Sequence, residues 1–385
     1  MPSVLFQPPK LTEQERLIIE AITQLKRELD FRATPARWFG SLRRDTFARA
    51  IRGSNSIEGF ELSIHAARAV AEREEPLDAD EEAVAATQGY RMAMTLVLQK
   101  EDDPYFFYGW ELLNSLHFLM VGYDLNKNPG RWRPGAVFVF DEEREQRVYE
   151  GPPIDLVPQL MSELMKTLNE PGDVHPLVAA AMAHLNYVMI HPHSDGNGRM
   201  ARCLQTLVLA RGQMGRNPIF ISIEEYLGAN TPEYYRVLEE VGGGSWHPER
   251  DTRPWIRLCL TAHYRQAKTM KARAELWSRI FSIVEEEARR GSVPERSVIA
   301  LAEAMYGFQV RNVSYRSSAE VSEQIASRDL KELVALGMLT PHGERRGRYY
   351  TRGPALTALI SQVEIPPRPG DPYEEIRAQE ELPFP

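Results

Sequence analysis

Two apolar helical segments joined by a short polar connection constrain this fold more than any other feature. Residues 176–190 read PLVAAAMAHLNYVMI, and residues 199–212 read RMARCLQTLVLARG. Segments that are apolar on nearly every side are typical of helices buried in a core. Proline at position 192 and glycine at positions 196 and 198 do not continue a helix, so the connection is predicted to be a tight turn. The chain is therefore predicted to be mainly α-helical.

The connection, HPHSDGNGRMAR at residues 191–202, concentrates polar chemistry in a few positions. Residues 196–198 fall at the predicted start of the second helix, where unpaired N–H groups and the helix dipole favour an anion. Arg199 and Arg202 are three residues apart, so both project from one face of the first turn and offer forked donors to phosphate oxygens. The pattern predicts a site for a polyphosphate.

Two more groups in the connection indicate which chemistry could act on the bound polyphosphate. Asp195 is a hard oxygen ligand that can hold Mg²⁺ bridging the phosphates. His191 has the pKa range needed to take a proton from an attacking hydroxyl. No GxxxxGK[ST] phosphate loop occurs elsewhere, so a nucleotide would have to use this connection.

Two alternatives compete with this interpretation. A Gly-Asn-Gly loop between helices is often only a turn, with solvated arginines beside it. The alternating positions of His191, His193 and Asp195 also resemble a transition-metal site, although such a site leaves both arginines and the glycines unexplained.

Composition excludes several classes of protein. No apolar run approaches the roughly 20 residues of a membrane helix, and the first residues lack the pattern of a secretion signal, so we expect a cytoplasmic protein without a membrane partner. Cys203 and Cys259 lie in apolar surroundings and are expected to be buried free thiols. The formal net charge of −8 disfavours attraction of the whole molecule to nucleic acid.

The rest of the chain is predicted to form four regions. Residues 1–104 are helical, with Ser63 as a helix cap, and residues 105–265 form the core with the polar connection. Within that core, AVFVFDEEREQRVYEGPP breaks the helical pattern and predicts a β-hairpin. Residues 266–355 show the helix, strand, turn, strand order of a winged helix, with Ile325, Leu330, Leu333 and Leu336 facing inward. Residues 356–385 are rich in proline and acid and are expected to be extended or disordered.

The connection resembles the signature of the Fic (filamentation induced by cAMP) family, His-Pro-Phe-x-Asp/Glu-Gly-Asn-Gly-Arg-x-x-Arg. Most members of that family transfer AMP from ATP to protein hydroxyls. The resemblance extends over residues 105–265 and implies a Fic-type helical core with a β-hairpin flap. It implies the following roles: His191 as general base, Asp195 as Mg²⁺ ligand, Gly196, Asn197 and Gly198 as phosphate cradle, and Arg199 and Arg202 as phosphate clamps. The chain departs from the signature at His193, where the family usually has the phenylalanine that anchors the loop in the core.

The same resemblance implies a function for the hairpin. Fic flaps hold an extended segment of the target by strand addition, which reads the backbone more than the side chains. The implied edge here is Val137, Phe138 and Val139. An ordinary surface hairpin that packs its apolar side chains on the core is the alternative.

A second motif lies far upstream, at SNSIEGF. Read alone, it is a turn bracketed by glycines with a solvated glutamate. Beside the Fic signature, Ser54, Glu58 and Gly59 resemble the family's inhibitory motif Ser/Thr-x-x-x-Glu-Gly/Asn. In that motif the glutamate pairs with the last arginine of the signature, here Arg202, at the place of the ATP γ-phosphate.

The resemblance implies a self-restrained Fic protein that uses Mg²⁺ and ATP to transfer AMP to a Ser, Thr or Tyr hydroxyl of a protein. The target could also be the chain itself, and a homodimer is left open. The alternatives are a DNA-binding winged-helix regulator whose Fic domain senses nucleotide, and a Fic enzyme that removes AMP or uses another nucleotide. DNA is the less favoured partner, because the winged-helix region has only a modest excess of basic residues.

Overall fold

The structure is a computed structural model that describes residues 4–32, 37–77, 79–141, 144–212, 222–361, 363–364 and 366–380. Helices dominate this part of the chain, as the sequence predicts. They are α1 Glu13–Arg32, α2 Phe39–Ser56, α3 Ile64–Ala71, α4 Glu81–Gln99, α5 Trp110–Val121, α6 Val157–Asn169, α7 Pro176–Ile190, α8 Asn197–Arg211, α9 Glu224–Ala229, α10 Thr231–Gly242, α11 Arg253–Arg289, α12 Val298–Tyr306, α13 Asn312–Ala319, α14 Glu323–Ala335, α15 Pro354–Ile360 and α16 Pro372–Glu380. The strands are β1 Phe138–Asp141, β2 Gln146–Glu150, β3 Val310–Arg311, β4 Leu339–His342 and β5 Tyr349–Arg352.

Among the helices of these described ranges, none is long and apolar enough to cross a membrane.

The chain divides into two compact units. The first comprises residues 1–30, 46–268 and 370–385, and the second comprises residues 31–45 and 269–369. We predicted separate regions at 1–104 and 105–265, but the structure places nearly all of both in the first unit. Physical contacts explain this difference, since the Asn186 side chain on α7 exchanges hydrogen bonds with the backbone of Phe6 at 2.9 and 3.1 Å.

The centre of the first unit is the pair α7 and α8, which pack on each other with α4 and α6 alongside. Pro176 opens α7 at its first turn, where a missing N–H costs nothing, and the helix ends at His191. Both helices are buried on nearly every side, and Cys203 and Cys259 are buried and free. The predicted helix pair and its tight connection at residues 191–196 are confirmed.

The hairpin is also present. Strands β1 and β2 are antiparallel, and their register is interrupted between Val139 and Phe140. Of the predicted edge residues, Phe138 and Val139 lie in β1, whereas Val137 precedes the strand and its carbonyl accepts the Gly151 N–H at 3.1 Å.

The second unit contains a three-stranded antiparallel sheet in the order β3-β5-β4, with helices α12, α13, α14 and α15 around it. Gly337, with a φ of 68°, turns the chain from α14 into β4. The order of elements is the one that the sequence predicts, and its assignment to the winged-helix class remains a prediction. Leu336 is a correction, because it is 45% exposed rather than inward, at the point where the helix ends.

The segment at 356–385 also differs from the expectation of an extended or disordered arm. Residues Pro372–Glu380 form α16 within the first unit. Glu375 accepts a hydrogen bond from the Tyr264 hydroxyl at 2.6 Å and pairs with Lys268. These contacts with α11 give the segment the packing partners that its composition alone did not indicate.

Asp329 on α14 is a buried charge on which the second unit depends. Its carboxylate is fully buried and accepts two hydrogen bonds from Arg296, at 2.6 and 2.8 Å, and one from Tyr315 at 2.9 Å.

Asp329→Asn should destabilise the second unit by about 2 kcal/mol, because the remaining donors lose a charged acceptor. Hydrogen exchange of the α13 and α14 amides in the full chain should accelerate accordingly. Glu332→Gln, at an exposed position of the same helix, is the matched control, and equal exchange in both variants would contradict this account.

Candidate active site

His191 lies at the end of α7 in the left-handed backbone region, with a φ of 51°. Its Nδ1 is 3.0 Å from the Val188 carbonyl oxygen. Because a carbonyl oxygen can only accept, Nδ1 carries the proton, and Nε2 is left as the acceptor. The ring is therefore oriented as a base, with the proton-accepting nitrogen turned away from its own helix.

The surroundings of His191 favour the neutral ring. Burial lowers the pKa of His191 below its ordinary value of 6.5, although the Val188 carbonyl and the Glu58 charge act in the opposite direction. A neutral imidazole near pH 7 is able to accept a proton.

Arg133 fixes the backbone of this residue. Its Nε donates to the His191 carbonyl at 2.9 Å. Its other guanidinium nitrogens donate to the Gly135 carbonyl, which precedes β1, and to the Pro152 carbonyl, which follows β2. A Cβ placed on Gly151 would lie 3.7 Å from the His191 Cβ, so the base of the hairpin is beside the site. We did not single out Arg133 from the sequence. A buried arginine satisfied by backbone carbonyls has no charge pattern that would reveal it.

His193 anchors the connection through hydrogen bonds. The ring is 1% exposed, its Nδ1 donates to the Arg131 carbonyl at 2.8 Å, and its Nε2 accepts from the Tyr187 hydroxyl at 2.8 Å. It stacks on His117 with ring centroids 3.7 Å apart. Burial and the neighbouring His117 lower the pKa of His193 to about 3, so the ring is neutral. The position usually held by phenylalanine is thus occupied by an imidazole whose two nitrogens are both satisfied.

These contacts also bear on the transition-metal alternative. Both ring nitrogens of His193 have protein partners, so neither is free to ligate. Within the described ranges, no group of three or more His, Cys, Asp or Glu side chains is arranged to hold a metal ion.

The loop between His193 and α8 is closed by polar contacts. The Asn197 side chain accepts from the His193 N–H at 2.9 Å and donates to the His193 carbonyl at 2.8 Å. His117 accepts the Gly130 N–H at Nδ1 and donates from Nε2 to the Asp195 carbonyl at 3.0 Å. Gly196 has a φ of 76° and begins α8. The Asn197 side chain therefore shapes the loop, which leaves the backbone N–H of Asn197 as the group that could bind an anion with the first-turn amides.

Arg199 is buried without hydrogen-bond partners. The residue is fully buried, and among the described residues none of its three guanidinium nitrogens has a hydrogen-bond partner. The nearest carboxylate oxygen, on Asp195, is 3.7 Å away, and the guanidinium lies 5.1 Å from the centroid of the Phe60 ring. A buried guanidinium that lacks acceptors fits a group rich in oxygen acceptors, such as a phosphate.

Arg202 is held by the upstream motif, 144 positions away from Glu58 in the sequence. Its Nη2 donates to the Glu58 carboxylate at 2.6 Å, and its Nε donates to the Ser54 hydroxyl at 2.8 Å. The Ser54 carbonyl accepts a further hydrogen bond at 2.9 Å. Burial alone would lower the pKa of Arg202, but the Glu58 carboxylate together with Tyr234 and Tyr90 outweighs burial and holds the pKa above its ordinary value. The structure thus brings together residues that the sequence placed far apart.

The end of α2 aims Glu58 at this arginine. The Gly59 N–H donates to the Ser56 carbonyl and the Phe60 N–H to the Asn55 carbonyl, both at 3.1 Å, while Gly59 has a φ of 84°. This is the Schellman arrangement, in which a left-handed glycine ends a helix. A Cβ on Gly198 would lie 2.4 Å from the Glu58 Oε1, so a glycine is needed at 198 for the carboxylate to reach α8.

Asp195 is the only carboxylate of the motif and the candidate magnesium ligand. Its Oδ1 accepts the Gly196 N–H at 2.6 Å, and its Oδ2 lies 3.2 Å from the Lys127 ammonium. Burial alone would raise the pKa of Asp195, but Arg199 and Lys127 outweigh burial and lower it, so the group is ionised. One ionised carboxylate fits Mg²⁺ bound mainly through phosphates and water.

A family model described as the Fic/DOC family matches residues 111–209. Among curated proteins, Protein adenylyltransferase Fic from Nematostella vectensis is 26% identical over 228 residues, covering 56% of this chain and 46% of that protein. Protein adenylyltransferase fic-1 from Caenorhabditis elegans is 26% identical over 258 residues, covering 65% of this chain and 46% of that protein. The chain spans less than half the length of these two relatives.

Solved structures show the same fold. A Fic family protein from Desulfovibrio desulfuricans G20 aligns with a TM-score of 0.58 at 22% identity, covering 91% of this chain and 99% of that one. Fic-1 from C. elegans aligns with a TM-score of 0.52 at 22% identity, covering 68% of this chain and 73% of that one. Together with the motif at residues 191–202, the family model shows that residues 111–209 contain a domain of the Fic/DOC type.

Proposed function

We propose that this protein is a protein adenylyltransferase that transfers AMP from ATP to a hydroxyl side chain of a protein. The observation that carries the proposal is the buried, hydrogen-bond-free guanidinium of Arg199 at the first turn of α8, in one loop with the oriented base His191. A phosphate-binding arginine and a neutral imidazole are suited to hold the nucleotide and to accept the hydroxyl proton in nucleotidyl transfer. The similarity to relatives named protein adenylyltransferase supports the same conclusion.

In the proposed reaction, the target hydroxyl attacks the α-phosphorus of ATP. A new oxygen–phosphorus bond forms, the bond to the β-phosphate oxygen breaks, and pyrophosphate leaves with the electron pair. His191 accepts the hydroxyl proton at Nε2. Arg199, Arg202 and the first-turn amides of α8, including those of Asn197 and Gly198, hold the phosphates so that attack and departure are in line.

Asp195 would hold the magnesium ion, which supplies positive charge to the phosphate oxygens when it is bound. The carboxylate is suited to this task because it is ionised and its backbone is fixed by His117.

We further propose that Ser54, Glu58 and Gly59 restrain the reaction. The Glu58 carboxylate accepts a hydrogen bond from the Arg202 Nη2, and a carboxylate oxygen and a γ-phosphate oxygen compete for such a donor. Gly59 ends α2 so that Glu58 reaches α8, and Ser54 accepts hydrogen bonds from the Nε and Nη2 of Arg202.

The hairpin is proposed to bind the target. Phe138, Val139 and the residue before the strand, Val137, lie at the end of the hairpin that is beside His191. An extended target segment added along β1 would bring its hydroxyl toward the base.

A DNA-binding function is less well supported. The exposed charged side chains of α14 are two acidic and two basic residues: Glu323, Arg328, Lys331 and Glu332. Asp329, on the same helix, is neutralised by Arg296. A helix with balanced exposed charge has little attraction for phosphates. DNA binding, a homodimer, and a Fic reaction that removes AMP or uses another nucleotide are outcomes that labelling and binding assays would reveal.

The first test removes the base. His191→Ala should lower kcat/KM for AMP transfer by about 10² to 10⁴, because proton transfer loses its acceptor while the phosphate site stays intact. ATP affinity, measured by calorimetry, should change little.

In the unsubstituted protein the acidic limb of the pH–rate profile should lie below pH 6.5, because the pKa of His191 is lowered and the ring must be neutral to act. A variant that retains full activity, or an acidic limb above pH 6.5, would contradict the assignment.

The second test removes the restraint. Glu58→Gly should raise the rate of AMP transfer from labelled ATP by about tenfold or more, because Arg202 becomes free to position the phosphates. Glu61→Gln, an exposed position in the same segment, is the matched control and should leave the rate unchanged.

A double-mutant cycle shows whether Glu58 acts through Arg202. Arg202→Ala should abolish most activity, and the double variant should be no faster than Arg202→Ala alone, because both residues act on one phosphate position. Additive effects in the cycle, or equal rates for the unsubstituted protein and Glu58→Gly, would refute inhibition through this pair.

A further inference from the structure

Lys127 is a cation at the candidate metal carboxylate that the signature motif does not contain. It lies in the 3-10 turn Leu125–Lys127 that follows α5. Its ammonium is 3.2 Å from the Asp195 Oδ2, which is the oxygen not engaged by the Gly196 N–H. The side chain is only 18% exposed, so water screens this ion pair less than a surface pair.

Aromatic contacts hold the ammonium in this place. Lys127 donates a hydrogen bond to the Tyr123 hydroxyl at 2.8 Å and lies 4.7 Å from the centroid of the same ring. It also lies 5.3 Å from the centroid of Phe60, the residue that directly follows the inhibitory Gly59. A cation that contacts two aromatic rings and a carboxylate is held in one position, unlike the ammonium of a mobile surface lysine.

Lys127 has a second acidic partner outside the motif. The Glu82 carboxylate, on α4, is 3.6 Å from the same ammonium. An ammonium carries three donors on a flexible stem, so it can leave Asp195 and remain paired with Glu82.

A divalent cation on Asp195 would share its carboxylate oxygen with this ammonium. Two positive charges a few ångströms apart repel each other strongly where water is partly excluded. We propose that Lys127 is a resident counter-ion that competes with the divalent cation for Asp195 and so sets the metal concentration that the site requires. This inference rests on the proposed function, because it takes Asp195 as the metal ligand. When the metal binds, Lys127 turns toward Glu82.

The test uses Mn²⁺ as a spectroscopic substitute for Mg²⁺. Mn²⁺ is titrated into the full-length protein with ADP present, and free Mn²⁺ is measured by electron paramagnetic resonance. Lys127→Met should bind Mn²⁺ about three- to tenfold more tightly, because the competing charge is gone. Lys127→Arg keeps a cation and should resemble the unsubstituted protein. Glu82→Gln removes the second acidic partner and should weaken Mn²⁺ binding about twofold.

Lys100→Met is the matched control. Lys100 forms a lysine–aspartate pair of similar geometry, 2.7 Å from the Asp103 Oδ2, but Asp103 is not part of the motif. Unchanged or weaker Mn²⁺ binding by Lys127→Met would overturn the inference. Asp195→Asn tests the proposed metal site separately from the inference about Lys127, since it should abolish Mn²⁺ binding at that site. If Asp195→Asn binds Mn²⁺ normally, the proposed metal site is wrong and the inference about Lys127 falls with it.

Discussion

The buried guanidinium of Arg202 is the group on which the candidate site depends. A charge that is 1% exposed requires acceptors, and two of them, the Ser54 hydroxyl and Glu58, come from α2 and the turn that follows it. The same requirement explains the fold around it, because α2 must approach α8 closely enough for the ion pair to form. At Gly53, a Cβ would lie 2.4 Å from the Glu224 carbonyl oxygen, so a glycine permits the close approach of α2 to α9. The ion pair between Glu58 and Arg202 also joins the N-terminal region to the core.

The loop between α7 and α8 is held by polar contacts where the family usually has an apolar ring. His193 has both nitrogens hydrogen-bonded, to Arg131 and Tyr187, and it stacks on His117, which holds the Asp195 carbonyl. A buried network whose members are all satisfied specifies one geometry, whereas an unsatisfied member would be costly. The substitution therefore preserves loop anchoring by a different physical means.

The sequence predicted the elements that follow from local residue patterns. It did not predict the features that depend on contacts between distant residues. The helix pair, its connection and the hairpin follow from periodicity and from proline and glycine, and Ser63 caps α3 by accepting the Ala66 N–H, as predicted. The contact of Glu58 with Arg202 was accessible only through the resemblance, since no spacing rule joins such distant positions. Lys127 was missed because its partners, Asp195 and Glu82, lie on other elements. The packing of α16 was not predicted, because its own residues are largely charged and its stabilising contacts come from a neighbouring helix.

The most direct test of the account compares the binding of ATP and ADP by calorimetry, in the unsubstituted protein and in Glu58→Gln. Because Glu58 and the γ-phosphate compete for Arg202, removing the charge should raise the affinity for ATP by about tenfold and leave that for ADP within about twofold. An equal gain for both nucleotides, or none for ATP, would contradict the claim that Glu58 occupies the place of the γ-phosphate.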